Sequence, residues 1–409
     1  MFSDFDNDKI SLLDIKKDFH QHFNLKVSRT AIHKKFNSNT VQFLKELLYH
    51  HLSVHLQENY TSKDQLESFN RINIKDSTKF TLPSSLVDAY PGYGGFNRSS
   101  GIMNIQYEYD LKSGTWLCCE LTKATRNDQQ DSKESIESIH KGDLMIRDLG
   151  YITINYMKGV IGKEAYFLNR LPTSINVYQK TNSGNYHEVK WDNIFQSAHD
   201  FNNKPIEMNV FLGKKEKLPV RLVVEKIPDH IYEQRMRKGT KSAKSKKCTV
   251  SKEHKVRCRY NLYITNAPQE KISTQMIKDI YKLRWQIEII FKTWKSVFSI
   301  HKIKQLKKER FESQLLAKML WVIFNWKFLQ IGNRFIQNQQ PDNGCSFIKF
   351  FKQIKTCSFE LRLILIGSLQ LKKWLMTKFI KILSDSIIEV KKGKESLYQR
   401  FYRVKCCLS

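Results

Sequence analysis

Apolar residues recur every three or four positions through most of the first 60 residues, notably in Leu12–Phe23 and Thr40–Leu56. This spacing is typical of amphipathic helices. Between these two runs, Ser28 is a suitable N-cap for a basic third helix, Arg29–Phe36. Two interpretations of this region stay equally open: a helix-turn-helix that places cations against DNA, and a plain helical hairpin.

The pattern changes to β-like alternation after residue 70. Ile72 and Ile74 alternate with polar residues, and we expect the strand to end at Asp76. A second apolar run, Leu144–Ile146, predicts a buried strand that ends at Asp148. An aspartate at a strand end is most often only a turn or cap residue.

Between and after these two strands the chain alternates short β-like runs with turns. Ile102–Asp110 and Thr115–Leu121 predict a hairpin with Gly114 in its turn. Further β-like runs between about 165 and 265 predict an all-β segment: Ala165–Asn169, Ile175–Gln179, Glu207–Phe211, Val220–Glu225 and Tyr260–Thr265. Inside this segment, the polybasic stretch Arg235–Arg259, with Lys241, Lys244, Lys246 and Lys247, predicts a mobile, solvated loop.

The stretch Tyr281–Ser296 predicts one amphipathic helix. At about 100° per residue, four polar side chains fall within an arc of roughly 60°, and we call them the polar stripe: Tyr281, Arg284, Glu288 and Lys295. Trp285 and Trp294 are expected to pack in the core or against other helices rather than to stack on bases. Amphipathic helices are predicted again in Phe311–Phe335 and Ser346–Leu383, before a poorly structured C-terminal end.

Charge separates the possible classes of partner. The 409 residues carry 69 Lys and Arg against 40 Asp and Glu, a formal net charge of +29. Such an excess favours a polyanionic partner, first nucleic acid and second an anionic membrane surface. The longest apolar run, Leu315–Ile331, is interrupted by Lys318, Asn325 and Lys327. It therefore predicts a helix in water and not a membrane span.

Cysteine spacing and the N-terminus bound the compartment. The eight cysteines form no Cys-x-x-Cys motif, and four of them form two pairs of adjacent residues. They predict neither a zinc site nor a disulfide framework. The N-terminal residues carry Asp4, Asp6 and Asp8 and no apolar signal core. A bacterial-type cytoplasm is the expected location.

The polar stripe carries the most specific signal. Its spacing is the YREK signature of transposases of the insertion-sequence-four family, and FKTWKS follows it as in that family. DSTKFTLP around Asp76 and RDLGY around Asp148 occur in the family's order. The second motif resembles the subgroup with DLGYF, but here Ile152 follows the tyrosine. The resemblance covers roughly residues 20 to 330.

This resemblance implies an α/β fold: an RNase H-like catalytic core interrupted by an all-β insertion, with helical N- and C-terminal regions. It implies a DDE triad of Asp76, Asp148 and Glu288 that binds two Mg²⁺ ions, for which Mn²⁺ can substitute. Such ions prefer oxygen ligands, including carboxylates. A pair of them can activate the attacking oxygen and stabilise the leaving oxygen of a phosphodiester. Arg284, Lys295, Tyr281 and Arg170 resemble residues that contact DNA.

The implied activity is cut-and-paste DNA transposition. The implied partners are double-stranded DNA, as terminal inverted repeats and target, and a second copy of the chain in a homodimer. No membrane is implied, and a bacterial nucleoid is the expected place. The expected domains are an N-terminal helical DNA-binding domain (1–65), the core's first part (66–164), the β-rich insertion (165–270), the core's second part with the catalytic helix (271–310) and a C-terminal helical region suited to dimerisation (311–409).

Two other classes stay in view. A catalytically inactive copy would bind DNA ends and repress transposition, although all three acids are present. A polybasic protein of the membrane surface would have a basic amphipathic helix without an acid on its polar stripe, and Glu288 fits that class poorly.

Overall fold

The computed structural model describes residues 11–57, 68–93, 101–200, 204–245, 247–249, 252–388 and 399. The protein is a mixed α/β structure with a large sheet and many helices. It divides into two compact units, each formed by separate segments of the chain. Among the described residues, unit 1 comprises 11–57, 75–93, 101–127, 285–388 and 399, and unit 2 comprises 68–74, 128–200, 204–245, 247–249 and 252–284.

The helices of the described residues are α1 (Leu12–Phe23), α2 (Arg29–Lys35), α3 (Ser38–Gln57), α4 (Asp128–Glu134), α5 (Ile154–Gly162), α6 (Trp191–Asp200), α7 (Asp229–Ser245), α8 (Lys252–Arg257), α9 (Ile277–Lys282), α10 (Trp285–Ser296), α11 (Lys308–Gln339), α12 (Phe347–Thr356), α13 (Ser358–Leu365), α14 (Leu371–Trp374) and α15 (Ile380–Ser386). The strands are β1 (Ile72–Leu82), β2 (Gly101–Asp110), β3 (Trp116–Lys123), β4 (Leu144–Arg147), β5 (Tyr166–Arg170), β6 (Val177–Lys180), β7 (Tyr186–Glu188), β8 (Ile206–Leu212), β9 (Leu218–Lys226) and β10 (Tyr260–Thr265).

Unit 1 begins with the three predicted N-terminal helices. The Ser11 side chain caps α1 in a capping box with Asp14. The Ser28 hydroxyl accepts a hydrogen bond from the amide of Ala31 at 3.0 Å, so the predicted N-cap of α2 is confirmed. Asn24 ends α1 in the left-handed conformation, which provides the turn between the two helices.

The sheet of unit 1 has the strand order β3-β2-β1. β2 and β3 are antiparallel and form the predicted hairpin. Gly114 lies in its turn with a φ of 69°, where its amide donates to the Asp110 carbonyl at 2.8 Å. This left-handed conformation suits glycine because a side chain there would be strained.

An aromatic cluster joins this hairpin to α10. The Trp294 ring centroid lies 4.8 Å from that of Tyr107 and 5.2 Å from that of Trp116, and all three side chains are buried. Such tilted and edge-on pairs contribute roughly 0.5–1.5 kcal/mol beyond the burial of their area. The prediction that Trp294 packs in the core is confirmed. Trp285 is 59% exposed, so the same prediction for it was wrong. At about 100° per residue it lies on the side of α10 opposite to the buried Ile287, Ile290 and Trp294.

The first strand is longer than the sequence pattern predicted. β1 continues to Leu82, and Asp76 is its fifth residue rather than its last. The alternation resumes beyond Asp76, because Thr78, Phe80 and Leu82 are all buried on one face. Polar residues at alternate positions are therefore the outward face of a continuing strand and not a turn.

The predicted single helix Tyr281–Ser296 is two helices. Leu283 and Arg284 separate α9 from α10. The Leu283 amide donates to Ile280 and the Arg284 amide to Tyr281, at 3.0 and 3.1 Å, so both bonds reach back three residues instead of four. This tightening ends α9, and only Glu288 and Lys295 of the polar stripe lie on α10.

Unit 2 contains the start of β1 and the strand order β4-β5-β10-β9-β8-β6-β7. β4 and β5 are parallel, with Leu144 opposite Tyr166, and the other described ladders from β5 to β7 are antiparallel. Buried aliphatic and aromatic residues from these strands and from α5 and α6 form one core. The predicted strands of this region are confirmed.

The segment 165–270 is not all β. It also contains α6, α7 and α8, and most of the stretch predicted as a mobile basic loop is helical. Arg235 explains why this stretch is ordered: its guanidinium donates to the carbonyls of Cys258 and Tyr260 and to the Asn261 side chain at 3.2, 3.3 and 2.6 Å. The prediction of a loop considered charge alone and missed these acceptors.

Some parts of the predictions lie outside the described residues. They are Asp4, Asp6 and Asp8, then Lys246 and residues 250–251 of the basic stretch, and the C-terminal segment from 389 onward, apart from Gln399. In the described chain, no helix combines the length and apolar character needed to cross a membrane. The run Leu315–Ile331 lies inside α11, and residues on all sides of this part of the helix are buried, including all of Met319–Ile323.

We expect Trp294→Ala to lower the free energy of unfolding by about 3–5 kcal/mol, because it empties a wholly buried site between Tyr107 and Trp116. Trp285→Ala is the matched control: it removes the same side chain from an exposed position of the same helix. It should change stability by less than about 0.5 kcal/mol. Urea titrations followed by far-ultraviolet circular dichroism measure both, and equal losses would contradict the packing role of Trp294.

Candidate active site

Asp148 lies directly after β4 in unit 2, as predicted. β4 is buried along its whole length beside β5, and Asp148 itself is extended before a short 3₁₀ turn, Leu149–Tyr151. Its side chain is 47% exposed. The strand therefore presents one carboxylate to solvent at its carboxyl end.

Arg147 holds this turn in place, and the sequence reasoning missed it. Its side chain is wholly buried, donates to the Ser135 hydroxyl at 3.0 Å and lies over the rings of Tyr156 and Tyr151 at 4.5 and 5.9 Å. Its amide donates to the Asn169 side chain at 2.9 Å. The signal was present, since a charged residue at the end of a wholly buried strand needs internal partners.

Arg284 and Tyr281 lie near Asp148 in the same unit. An Arg284 guanidinium nitrogen is 3.9 Å from Asp148 Oδ1, and the guanidinium carbon lies 5.9 Å from the Tyr281 ring centre. Tyr281 is buried, edge-on to Tyr263 at 5.4 Å. Burial raises the pKa of Tyr281 to about 12, while the charges of Arg284 and Arg170 oppose that rise. Unit 2 thus gathers four predicted site residues, one acid among three donors.

Glu288 and Asp76 belong to unit 1. Asp76 is half-buried in β1, and its Oδ1 accepts the Ser77 amide at 2.7 Å. Glu288 is half-buried in the first turn of α10, where the helix dipole favours an anion. Lys295 joins the two elements: its ammonium donates to the Lys79 carbonyl of β1 at 3.0 Å, and burial lowers its pKa.

The three acids have the donor chemistry of a divalent-ion site, because each is a carboxylate with a partly exposed side chain. Within the described ranges of the chain, no group of three or more His, Cys, Asp or Glu is placed to hold a metal ion. The assignment of Asp76, Asp148 and Glu288 as a ligand set stays a prediction.

The chain is similar to known proteins over the region that contains these residues. The family described as "Transposase DDE domain" matches residues 67–324. The transposase for insertion sequence element IS231F of Bacillus thuringiensis subsp. israelensis is 34% identical over 306 residues, 72% of this chain and 64% of the relative. The IS231E transposase of Bacillus thuringiensis subsp. finitimus is 33% identical over 322 residues, 76% of this chain and 67% of the relative.

A relative from another genus matches with similar identity and coverage. The transposase for insertion sequence element IS1151 of Clostridium perfringens is 29% identical over 322 residues, 74% of this chain and 66% of the relative. The chain thus spans about two thirds of the length of the curated relatives that it matches.

We expect Arg147→Gln to loosen the turn after Asp148, because the change removes the buried guanidinium that contacts Ser135 and the two tyrosine rings. The loss of a buried charge-assisted hydrogen bond costs about 1–3 kcal/mol. Hydrogen exchange of the Tyr151 and Ile152 amides, which close the turn, should therefore accelerate about tenfold for each 1.4 kcal/mol. Arg126→Gln, which removes a guanidinium paired with Glu120 in unit 1, should leave these two amides unchanged. Unaltered exchange in Arg147→Gln would rule out the positioning role.

Proposed function

The chain belongs to the DDE transposase family, and from that membership we propose that it cleaves DNA at the ends of a bacterial insertion sequence and joins the freed strands to a target DNA. The family match over residues 67–324 carries this proposal, because it includes Asp76, Asp148 and Glu288. Its relatives are named as transposases of insertion sequences. The formal charge of +29 suits the polyanionic partner.

Asp76, Asp148 and Glu288 are the catalytic carboxylates of this proposal and would hold two Mg²⁺ ions, or Mn²⁺ in their place. When bound, such ions activate an attacking oxygen and stabilise the leaving oxygen of a phosphodiester. The chain supplies partly exposed carboxylates on elements that buried packing holds in place. An RNase H-like core is proposed with them, supported by the antiparallel β2 and β3 of unit 1 and the parallel β4 and β5 of unit 2.

Arg284, Lys295, Tyr281 and Arg170 are proposed to contact the transposon end. Arg284 suits a phosphate because its planar guanidinium has five donors in a fork that matches phosphate oxygens. Tyr281 is buried, so its proposed contact is made through its hydroxyl group rather than its ring. Lys295 donates to a main-chain carbonyl of β1, which fixes its ammonium on the element that carries Asp76.

The remaining assignments follow the family membership. The N-terminal helices are proposed to bind the terminal inverted repeats, and the C-terminal helices to support a homodimer that holds two ends. The proposed domain boundaries stay at 65, 164, 270 and 310. A DNA partner would place the protein at the bacterial nucleoid.

A second candidate is a catalytically inactive copy that occupies the ends and represses transposition. The presence of all three acids counts against it. Nicking of a plasmid with transposon ends, compared in Mg²⁺ and in EDTA, separates the two functions: nicking only with Mg²⁺ supports the enzyme, and binding without nicking supports the repressor.

We expect Glu288→Gln to abolish cleavage of end-bearing DNA while binding remains within about twofold, because the change removes a metal ligand and no DNA contact. Plasmid nicking and gel-shift titration measure the two properties on the same preparation. Asp88→Asn is the matched control, since Asp88 is an exposed acid of unit 1 outside the three motifs. Cleavage at the wild-type rate by Glu288→Gln would overturn the catalytic assignment.

We expect Arg284→Ala to weaken complexes with DNA ends and to reduce the slope of log affinity against log salt by about 0.9, the value for one lost phosphate contact. Lys282→Ala is the control. Lys282 lies two residues before Arg284, and its ammonium binds Asp279 at 3.0 Å. Fluorescence anisotropy over a range of salt measures both slopes. A slope that is unchanged in Arg284→Ala, or reduced equally in Lys282→Ala, would exclude a specific phosphate contact.

A further inference from the structure

A cationic cavity of about 430 Å³ lies in unit 2 beside the turn that carries Asp148. Leu149, the residue after Asp148, forms part of its wall. Four cations of β5, α7 and α8 line it: Arg170, Arg235, Lys238 and Arg257. Among the described residues that line it, none is an aspartate or a glutamate.

Internal hydrogen bonds hold two of these cations in position. Arg235 is bound by the carbonyls of Cys258 and Tyr260 and by the side chain of Asn261. Arg257 donates to the Pro172 carbonyl at 3.4 Å, and its guanidinium lies 4.9 Å from the Trp191 ring centre. The partners of Arg235 are neutral, so they orient its guanidinium without cancelling its charge.

The other two cations have no ion pair or hydrogen bond within the described chain. They are Arg170, which is half-buried at the end of β5, and Lys238, which is exposed on α7. Glu225 is the acid whose charge reaches Arg235, but its carboxylate is already bound by Lys278 and by Asn261. Arg170 and Lys238 therefore bring positive charge to the cavity that no acid of the described chain pairs.

The positive charges of the cavity act on two groups. Burial and then the positive charge of Arg170 lower the pKa of Arg235. Burial raises the pKa of the Cys258 thiol, which also lines the cavity, while Arg235, Arg170 and Arg257 all oppose that rise. Three guanidinium groups thus act on one sulfur atom, and an anion bound among them would relieve the repulsion.

We infer that this cavity binds the sugar–phosphate backbone of a DNA strand, with phosphates on Arg170, Arg235, Lys238 and Arg257. This inference rests on the proposed function and extends it from Arg170 to three further cations. A cavity of this volume accommodates a nucleotide-sized group, and Leu171, Tyr260 and Leu262 offer an apolar surface for a sugar. Free phosphate shares the chemistry, so the test includes it as a separate arm.

The first measurement is the salt dependence of binding to a labelled DNA duplex of arbitrary sequence, in EDTA, with the full chain. Arbitrary sequence suffices because phosphate contacts carry no base information. Arg170→Gln and Lys238→Gln should each reduce the slope by about 0.9, and the double variant by about 1.8. Arg237→Gln is the control: it removes the same charge from the neighbouring residue of α7, whose side chain is 81% exposed and lies outside the cavity.

The second measurement uses Cys258 as a reporter of occupancy. Its alkylation by neutral iodoacetamide is followed by peptide mass spectrometry, with the exposed Cys248 as internal control. DNA at tenfold above its Kd should slow alkylation of Cys258 by about tenfold and leave Cys248 unchanged. The protection should be lost in the double variant Arg170→Gln, Lys238→Gln.

Three outcomes would overturn the inference: equal reductions of slope in Arg237→Gln and the cavity variants, no reduction in the cavity variants, or protection of Cys258 by inorganic phosphate but not by DNA. Neither measurement involves cleavage. A chain that binds in this way but does not cut DNA would therefore retain the cavity assignment while the enzymatic proposal fails.

Discussion

The burial of one indole determines how unit 1 presents its acids. Trp294 is wholly enclosed by Tyr107, Trp116 and their neighbours, so α10 cannot rotate about its axis without exposing that side chain. Lys295, the next residue, is tied to the Lys79 carbonyl of β1. Glu288 lies on the same helix, and Asp76 lies on the strand that Lys295 reaches. Packing thus holds in place the two elements that carry these carboxylates.

Local patterns predicted Asp148 well and Asp76 less well, for one physical reason. β4 is buried on both faces, and Asp148, the residue directly after it, meets solvent, so the end of burial and the end of the strand coincide. β1 is buried on one face beyond Asp76, so its polar residues alternate without ending it. The sequence did not predict the break at Leu283 and Arg284, because Leu283 is buried and fits the helical period. The apolar pattern is the same whether the hydrogen bonds reach back four residues or three. The family motifs located the residues, while only the coordinates located them in two units.

The cationic cavity shows what no linear pattern can reveal. Arg170 ends a strand, while Arg235, Lys238 and Arg257 lie in a stretch whose composition suggested a solvated loop. A charge run predicts the sign of a surface but not which members turn inward, because that depends on acceptors such as the Cys258 and Tyr260 carbonyls. The excess of +29 is a property of the whole chain; its local effect depends on which cations have no acid beside them.

The pair formed by Arg284 and Asp148 raises a physical question, because a cation beside a proposed metal ligand competes with the metal. The contact is long, 3.9 Å, and the carboxylate is 47% exposed, so the pair contributes only about 0–1 kcal/mol. A bound divalent ion and a phosphate exceed that attraction easily. Under the proposed function, the weak pair would orient Asp148 in the free protein and yield when DNA brings a phosphate for the guanidinium. Under the proposed function, the same arginine would contact the acid before DNA binds and the phosphate afterwards.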